Sequence, residues 1–349
     1  MITIIGAGLS GLLIGYRLKG LGIPFQILEA RDRIGGRIYT VVNDRTAPLE
    51  MGATWIMDQH EHIHKLLGEL KIHTFEQYMS GTSFFQPFSS SPAQAIVLPS
   101  QPPSFRIKTG TSILVQSLAQ RIGHESILLN EKVKQISFSK DSIDIIASKT
   151  YTSSQVVLAL PPKLWANTIN FTPALPDQLL NTALNTHTWM EDSIKVALTY
   201  ETSFWRRKGL SGTLFSNSGP ITEFYDHSNA EEDQHALCGF LNPSCRTLNP
   251  EDRKKAILLQ VSSVFGDEAK NFTNYNIVDW SDESLTHSEN EFSLFPHQNN
   301  GSPIFQNSYF DSRLIISSTE TAPAYPGYME GAVISAEIAV EKIKVSNIV

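Results

Sequence analysis

The chain has 349 residues, 41% of them hydrophobic and 18% charged, and a net charge of −7. This is the make-up of an ordinary globular protein of about two domains. An acidic balance without a dense Lys/Arg run excludes nucleic acid or an anionic membrane surface as the main partner. Only Cys238 and Cys245 occur, which excludes a disulfide framework and a cysteine-built metal site. No apolar run is long enough to span a bilayer, and Ile2 already falls in the first expected strand, so the chain reads as cytoplasmic.

The apolar run from Ile2 to Ile5 predicts a strand that leads into Gly6, Gly8 and Gly11 and then a helix. A second strand, Phe25 to Leu28, ends on Glu29. Each part meets one demand of a bound dinucleotide. Gly6 permits the tight turn, Gly8 lets backbone approach a pyrophosphate, and Gly11 lets helix and sheet pack closely. The helix N-terminus offers unpaired N–H groups to the anion, and Glu29 is placed to accept from ribose hydroxyls. Strand, turn, helix and acid in this order predict a Rossmann unit over about residues 2 to 42.

Helical spacing of Ile63, Leu66, Leu67 and Leu70 predicts a helix from about His60 to Leu70. His60, His62 and His64 fan around such a helix instead of converging on a metal, so a surface helix start is expected and no metal site is assigned. Residues 81 to 103, with five prolines and a serine run at Ser89 to Ser91, read as connection or short irregular strands. A helix follows over Ser112–Ile122, then strands near 126–129, 133–138, 143–147 and 156–160. In Asp192–Tyr200 the alternation puts Ile194, Val196 and Leu198 on one face of a strand and Lys195 on the other, where a solvated lysine is the plain reading. A last strand over 314–317 leads into a helix from about Tyr328 to Lys344. The fold class is therefore α/β. A discontinuous Rossmann-type domain takes residues 1–77, 107–162 and 308–349, and a second α+β substrate domain takes 78–106 and 163–307.

The stretch from Leu28 to Arg37, LEARDRIGGR, resembles the second FAD-binding signature of the flavin-dependent amine oxidase family. The resemblance implies that Glu29 holds the adenosine ribose, that Arg31 and Arg37 contact the cofactor, and that Gly36 makes a close approach. Three further segments are similar to the same family. In Leu49–Trp55 the family runs its chain against the flavin ring, which implicates Gly52 and Ala53. Glu320 matches an acid facing the ribityl and phosphate part of FAD, although Ser318 stands where relatives usually have glycine. GYMEGA, from Gly327 to Ala332, opens the last helix, with Tyr328 as one aromatic of the substrate site and Met329 beside the flavin. A fourth match, at Val133, implies main-chain contact with adenine.

Lys195 precedes Phe204-Trp205 at the spacing of a family lysine that holds a water near the flavin's reactive nitrogen. The second substrate aromatic is expected between Glu289 and Phe292, with Phe292 the nearest candidate, and Trp280 is either a site residue or core. No cysteine stands where some relatives anchor flavin, so non-covalent FAD is expected. Residues 78–106 are short where relatives insert a further part of the substrate domain. Together these features imply oxidation of a small amine's C–N bond to an imine, with molecular oxygen as acceptor and hydrogen peroxide released. The alternatives are a desaturase or protoporphyrinogen-oxidase-like C–C oxidoreductase, and a FAD-binding protein with little turnover.

Overall fold

The computed structural model describes residues 1–43, 46–88, 91–288 and 294–348. At its centre is a five-stranded parallel sheet in the order Ile127–Leu128, Phe25–Leu28, Ile2–Ile5, Gln155–Leu158, Leu314–Ile316. Ile2–Ile5 and Gln155–Leu158 are buried at every position, as strands covered on both faces must be, and this is why they are apolar but for Thr3 and Gln155. The helix Leu9–Gly20 buries Leu12, Leu13, Ile14 and Leu18 and packs between Ser112–Ile122 and the last helix, Met329–Ile348. Segments from the start, middle and end of the chain thus meet in one layer.

A four-stranded sheet extends this body: Thr150–Ser153, Ile143–Ile146, Gln135–Phe138 and Asn170–Thr172. The last of these lies beyond residue 162, where the sequence reading starts the substrate portion. It nevertheless pairs in parallel with Gln135–Phe138, because the helix Pro162–Thr168 turns the chain back.

The second body is a seven-stranded sheet ordered Asn274–Asp279, Ile194–Tyr200, His235–Leu241, Ile221–Asp226, Leu210–Ser216, Thr82–Gln86, Gln94–Ile96. Short strands from the proline-rich segment form its far edge. Ile194–Tyr200 is buried throughout, which overturns the solvated reading of Lys195. One face packs Ile194, Val196 and Leu198 on Ile257, Val261 and Phe265 of the helix Pro250–Phe265. The other face is roofed by Ala47, Leu49 and Met51 against Ala197, Ala236 and Cys238. Alternation alone does not reveal that second roof.

The helix Glu61–Leu70 also differs from its expected surface start. His60 is only 2% exposed; its ring lies edge-on to Tyr325 and Tyr328, and its Nδ1 accepts from the Met57 N–H at 3.2 Å. The buried Glu330 carboxylate caps this helix by accepting from the N–H groups of His62 (3.0 Å) and Ile63 (2.8 Å).

Candidate active site

Two cavities meet inside the molecule. The first is a cleft along the C-terminal ends of the parallel strands, walled by Gly6, Gly8, Glu29, Arg31, Gly36, Arg37, Ala53, Val133, Tyr328 and Met329 among others. The opening glycines build its floor. Gly6 has φ +106° with the Ala159 carbonyl 2.7 Å from where a Cβ would stand, and a Cβ on Gly11 would fall on the Gly6 carbonyl oxygen. A Cβ on Gly8 would meet nothing within 4 Å, because that position looks into the cleft. The helix that starts at Leu9 opens there with no side-chain cap, leaving its first N–H groups to an anion. Ser318, also on the wall, has a buried Oγ with no partner among the described residues. Open backbone, free donors and an unsatisfied hydroxyl fit a dinucleotide.

The acids and arginines of this cleft are strongly engaged. Glu29, buried after its strand, accepts from Ala7 N at 2.7 Å and Arg31 N at 2.9 Å. Arg31 reaches across to Glu283 (3.0 Å) and Thr286 (2.8 Å), so residues 283–286 lie over this end of the cleft. Arg37 grips Glu320 with both Nη atoms, at 2.5 and 3.0 Å, and donates to the Trp189 carbonyl at 2.9 Å. Glu320 is fully buried and does not line the cleft; its charge reaches the wall through Arg37. Val133 lies on the wall in a segment tied to Glu29 through the Glu131 N–H (2.8 Å). Neither cysteine lines the cleft.

The second cavity is walled by Trp55, Gln77, Phe215, Glu223, Tyr225 and Phe240 with several apolar neighbours. It shares Ala53, Trp189, Met190, Gly327, Tyr328 and Met329 with the first. Tyr328, 40% exposed, stands at this junction. Gly52 is pressed against the backbone of Arg37 and Tyr39, where a Cβ would meet Tyr39 N at 2.8 Å; it is a packing position more than a plain bend. Its carbonyl accepts from Lys195 Nζ at 2.9 Å, and Thr54 Oγ1 lies 2.7 Å from the same nitrogen. Lys195 Nζ faces the rings of Trp55 (5.2 Å) and Phe240 (5.1 Å). Burial pushes the Lys195 pKa down, against the pull of Cys238 and Glu50. Phe204 and Trp205 lie away from both cavities, with Trp205 Nε1 donating to Asp226 at 2.7 Å.

Beneath Lys195 lies a buried polar layer that sequence reasoning missed. Glu50 accepts from Thr111 N at 2.6 Å and Thr40 Oγ1 at 2.8 Å, and burial pushes its pKa up to about 7. Arg106 is pushed down to about 10 by burial, and His227 well below its ordinary range. These residues come from separate strands and loops, and no local pattern marks them. Trp189 and Met190 were also missed, as a lone aromatic and a methionine carry no signature. Trp280 is core: it is buried and donates from Nε1 to the Met51 carbonyl at 2.8 Å, bracing the chain just before Gly52. Phe292, the candidate second aromatic, lies outside the described residues. No group of metal-ligating side chains occurs among the described residues, and no helix among them is long and apolar enough to cross a membrane.

Comparison with known proteins places this geometry in context. The chain is 23% identical to a probable flavin-containing monoamine oxidase A of Dictyostelium discoideum, over 98% of this chain and 97% of that one. It is 24% identical to putrescine oxidase of Kocuria rosea, over 82% and 83%. Cyclohexylamine oxidase from Brevibacterium oxydans has the same fold, with a TM-score of 0.89 over 100% of this chain and 99% of that chain, at 18% identity. The family model for flavin-containing amine oxidoreductases matches residues 9–105 and 88–344. The chain is therefore a member of the flavin-containing amine oxidoreductase family, an enzyme whose cofactor is FAD.

Proposed function

We propose that the enzyme oxidises a small amine at its C–N bond with molecular oxygen as acceptor. For a primary amine, two electrons and two protons leave the substrate, water hydrolyses the imine to an aldehyde and ammonia, and oxygen is reduced to hydrogen peroxide. FAD supplies the redox step when bound. The observation that carries this reading is the buried Lys195, which lines neither cavity itself but is anchored to Gly52 and Thr54 of the second cavity's wall, on either side of Ala53, which belongs to both.

In this reading the cofactor would be held by Gly6, Gly8 and the helix N-terminus at its phosphates, by Glu29, Arg31 and Val133 at its adenosine end, and by Gly36, Arg37, Ala53 and Met329 towards the ring. Gly11 sets the helix close enough for this, and Glu320 fixes Arg37. Tyr328 walls the amine's approach, braced by the His60 ring 5.6 Å away. Lys195 Nζ is the proton-holding atom; burial favours its neutral form, which can take up and return a proton as oxygen is reduced. The aromatic and aliphatic side chains on the cavity wall lower the local dielectric and strengthen these interactions.

Anaerobic mixing with a panel of amines tests the reading. The flavin absorbance is expected to bleach with at least one amine and to return on admitting air, with peroxide formed in step. Bleaching by a polyene or porphyrinogen and by no amine would hand the case to a C–C oxidoreductase. A protein that binds flavin but is reduced by none of them would be a low-turnover binder.

A further inference from the structure

The polar layer beneath Lys195 carries more hydrogen-bonding capacity than it uses. Lys195 and Ala197 alternate onto one face of their strand, opposite Phe240 and Cys238. Glu50 lies over that face, since its carbonyl oxygen is 3.7 Å from the Cys238 thiol. The Glu50 carboxyl is buried and accepts one bond on each oxygen, from Thr111 N and Thr40 Oγ1. Three buried polar atoms of the same layer have no partner among the described residues: Thr111 Oγ1, Arg106 Nε and Ser228 Oγ. Thr111 binds Glu50 through its N–H, and Arg106 donates from Nη2 to the Ser228 carbonyl. Unpaired interior donors and acceptors gathered in this way are where ordered water is held.

Among the described residues, Glu50 is faced by Lys195 and Cys238 from the sheet, by Arg106 from the strand Ser104–Ile107, and by His227, whose Nε2 accepts from Glu50 N at 3.1 Å. Asp226 bears on Arg106 but is itself gripped by Arg206 at 2.6 and 2.9 Å. Burial pushes the Cys238 thiol up and the His227 imidazole well down, so both stay neutral near pH 7. It also pushes the Glu50 carboxyl up to about 7 and the Lys195 amine down, which draws the two together in proton affinity. Lys195 makes hydrogen bonds to Gly52 and Thr54 and has no third such partner among the described residues. A carboxyl and an amine matched in this way hold one movable proton between them.

Resting on the role given to Lys195 above, we propose that Glu50 is a positioning residue that acts through Lys195: its carboxyl stores the proton that restores the lysine after each transfer, by way of water held in the same layer. Reducing oxygen to hydrogen peroxide takes up two electrons and two protons. Both electrons and one proton come with the reduced flavin, and the second proton leaves Lys195 Nζ. The Glu50 carboxyl then returns a proton to the amine, and the carboxylate so formed is reprotonated from solvent before the next turnover.

Two measurements test this. In the first, FAD-loaded enzyme reduced with dithionite, so that no amine is needed, is mixed rapidly with oxygen across the neutral pH range. The reoxidation rate is expected to fall as pH rises through about 7, where Glu50 loses its stored proton. Glu50→Gln keeps an acceptor for Thr111 N and a partner for Thr40 Oγ1; it should be slower by about tenfold on the acid side, below the range for a direct acid–base group, and flat with pH. The second is an infrared pH titration of the protein without substrate. A carboxyl band should fade as pH rises through about 7, be absent from Glu50→Gln, and fade at higher pH in Lys195→Met, where the positive neighbour that draws the proton off is gone. The comparison with Lys195→Met stands even if the Glu50 variant folds poorly. A pH inflection retained in Glu50→Gln, or a carboxyl band that is the same in Lys195→Met as in the parent, would overturn the proposal. An unchanged reoxidation rate in Lys195→Met is a different result: it would remove the lysine reading itself, and the role of Glu50 with it.

Discussion

The cofactor cleft and the substrate cavity share a wall but are built on opposite plans. The cleft is shaped mainly by backbone: Gly6, Gly8, Gly11 and Gly36 bring main chain close to main chain or leave it bare. The substrate cavity is shaped by side chains on one face of a sheet, Phe215, Glu223, Tyr225 and Phe240, with Trp55 and Tyr328 set against them. A surface made of backbone tolerates little change in sequence. One made of side chains can be re-specified residue by residue while the strands beneath remain. The two halves should accordingly break in different ways.

The largest effect is expected at Gly11. A Cβ there falls on the Gly6 carbonyl, and neither backbone can retreat without opening the turn. Gly11→Ala should destabilise the protein by about 3 kcal/mol and leave it nearly free of flavin, read as the flavin-to-protein absorbance ratio after purification. Normal flavin content in this variant would refute the backbone account of the cleft.

Lys195→Met is expected to act on chemistry while sparing assembly. The methionine fills most of the same buried volume, and the variant should keep its FAD. Reoxidation of the reduced enzyme by oxygen should slow by about a hundredfold, as for loss of a proton-transferring group. Stopped-flow mixing of reduced enzyme with oxygen measures this, and an unchanged rate would remove Lys195 from the reaction.

The smallest effect belongs to Glu330. Its two oxygens cap the Glu61–Leu70 helix through His62 N and Ile63 N, and a glutamine offers only one acceptor. Glu330→Gln should cost about 1–2 kcal/mol of stability, measured by denaturant unfolding. If it instead abolished flavin binding, the acid of GYMEGA would be a cofactor residue and not a cap.

The same contrast explains what could be read from the sequence. The parallel strands and their glycine turns were legible because a phosphate-binding turn must be contiguous: strand, glycines, helix and acid follow within some thirty residues. The final helix was legible through GYMEGA, and Lys195 through its distance from Phe204-Trp205. Its burial was not, because the roof of Ala47, Leu49 and Met51 arrives from far back in the chain. Glu223 gave no signal either; in the sequence it is one acid of a strand, and only the pairing with Phe240 and Phe215 puts it in the cavity. The Glu330 cap spans 268 residues, and Trp189 reaches both cavities from a loop without a motif. Local chemistry is written locally, whereas chemistry assembled across a sheet depends on the register.

The wall common to both cavities has a thermodynamic consequence. Ala53, Trp189, Met190, Gly327, Tyr328 and Met329 line both cavities, so with FAD in the first and an amine in the second, as proposed, the two ligands would not bind independently. Whatever free energy the flavin contributes to fixing Trp189 and Tyr328 is free energy the amine no longer supplies, and reciprocity requires the amine to return it by tightening the hold on flavin. In that proposed arrangement, occupancy of the second cavity would act as a brake on cofactor loss, strongest when the enzyme is in use.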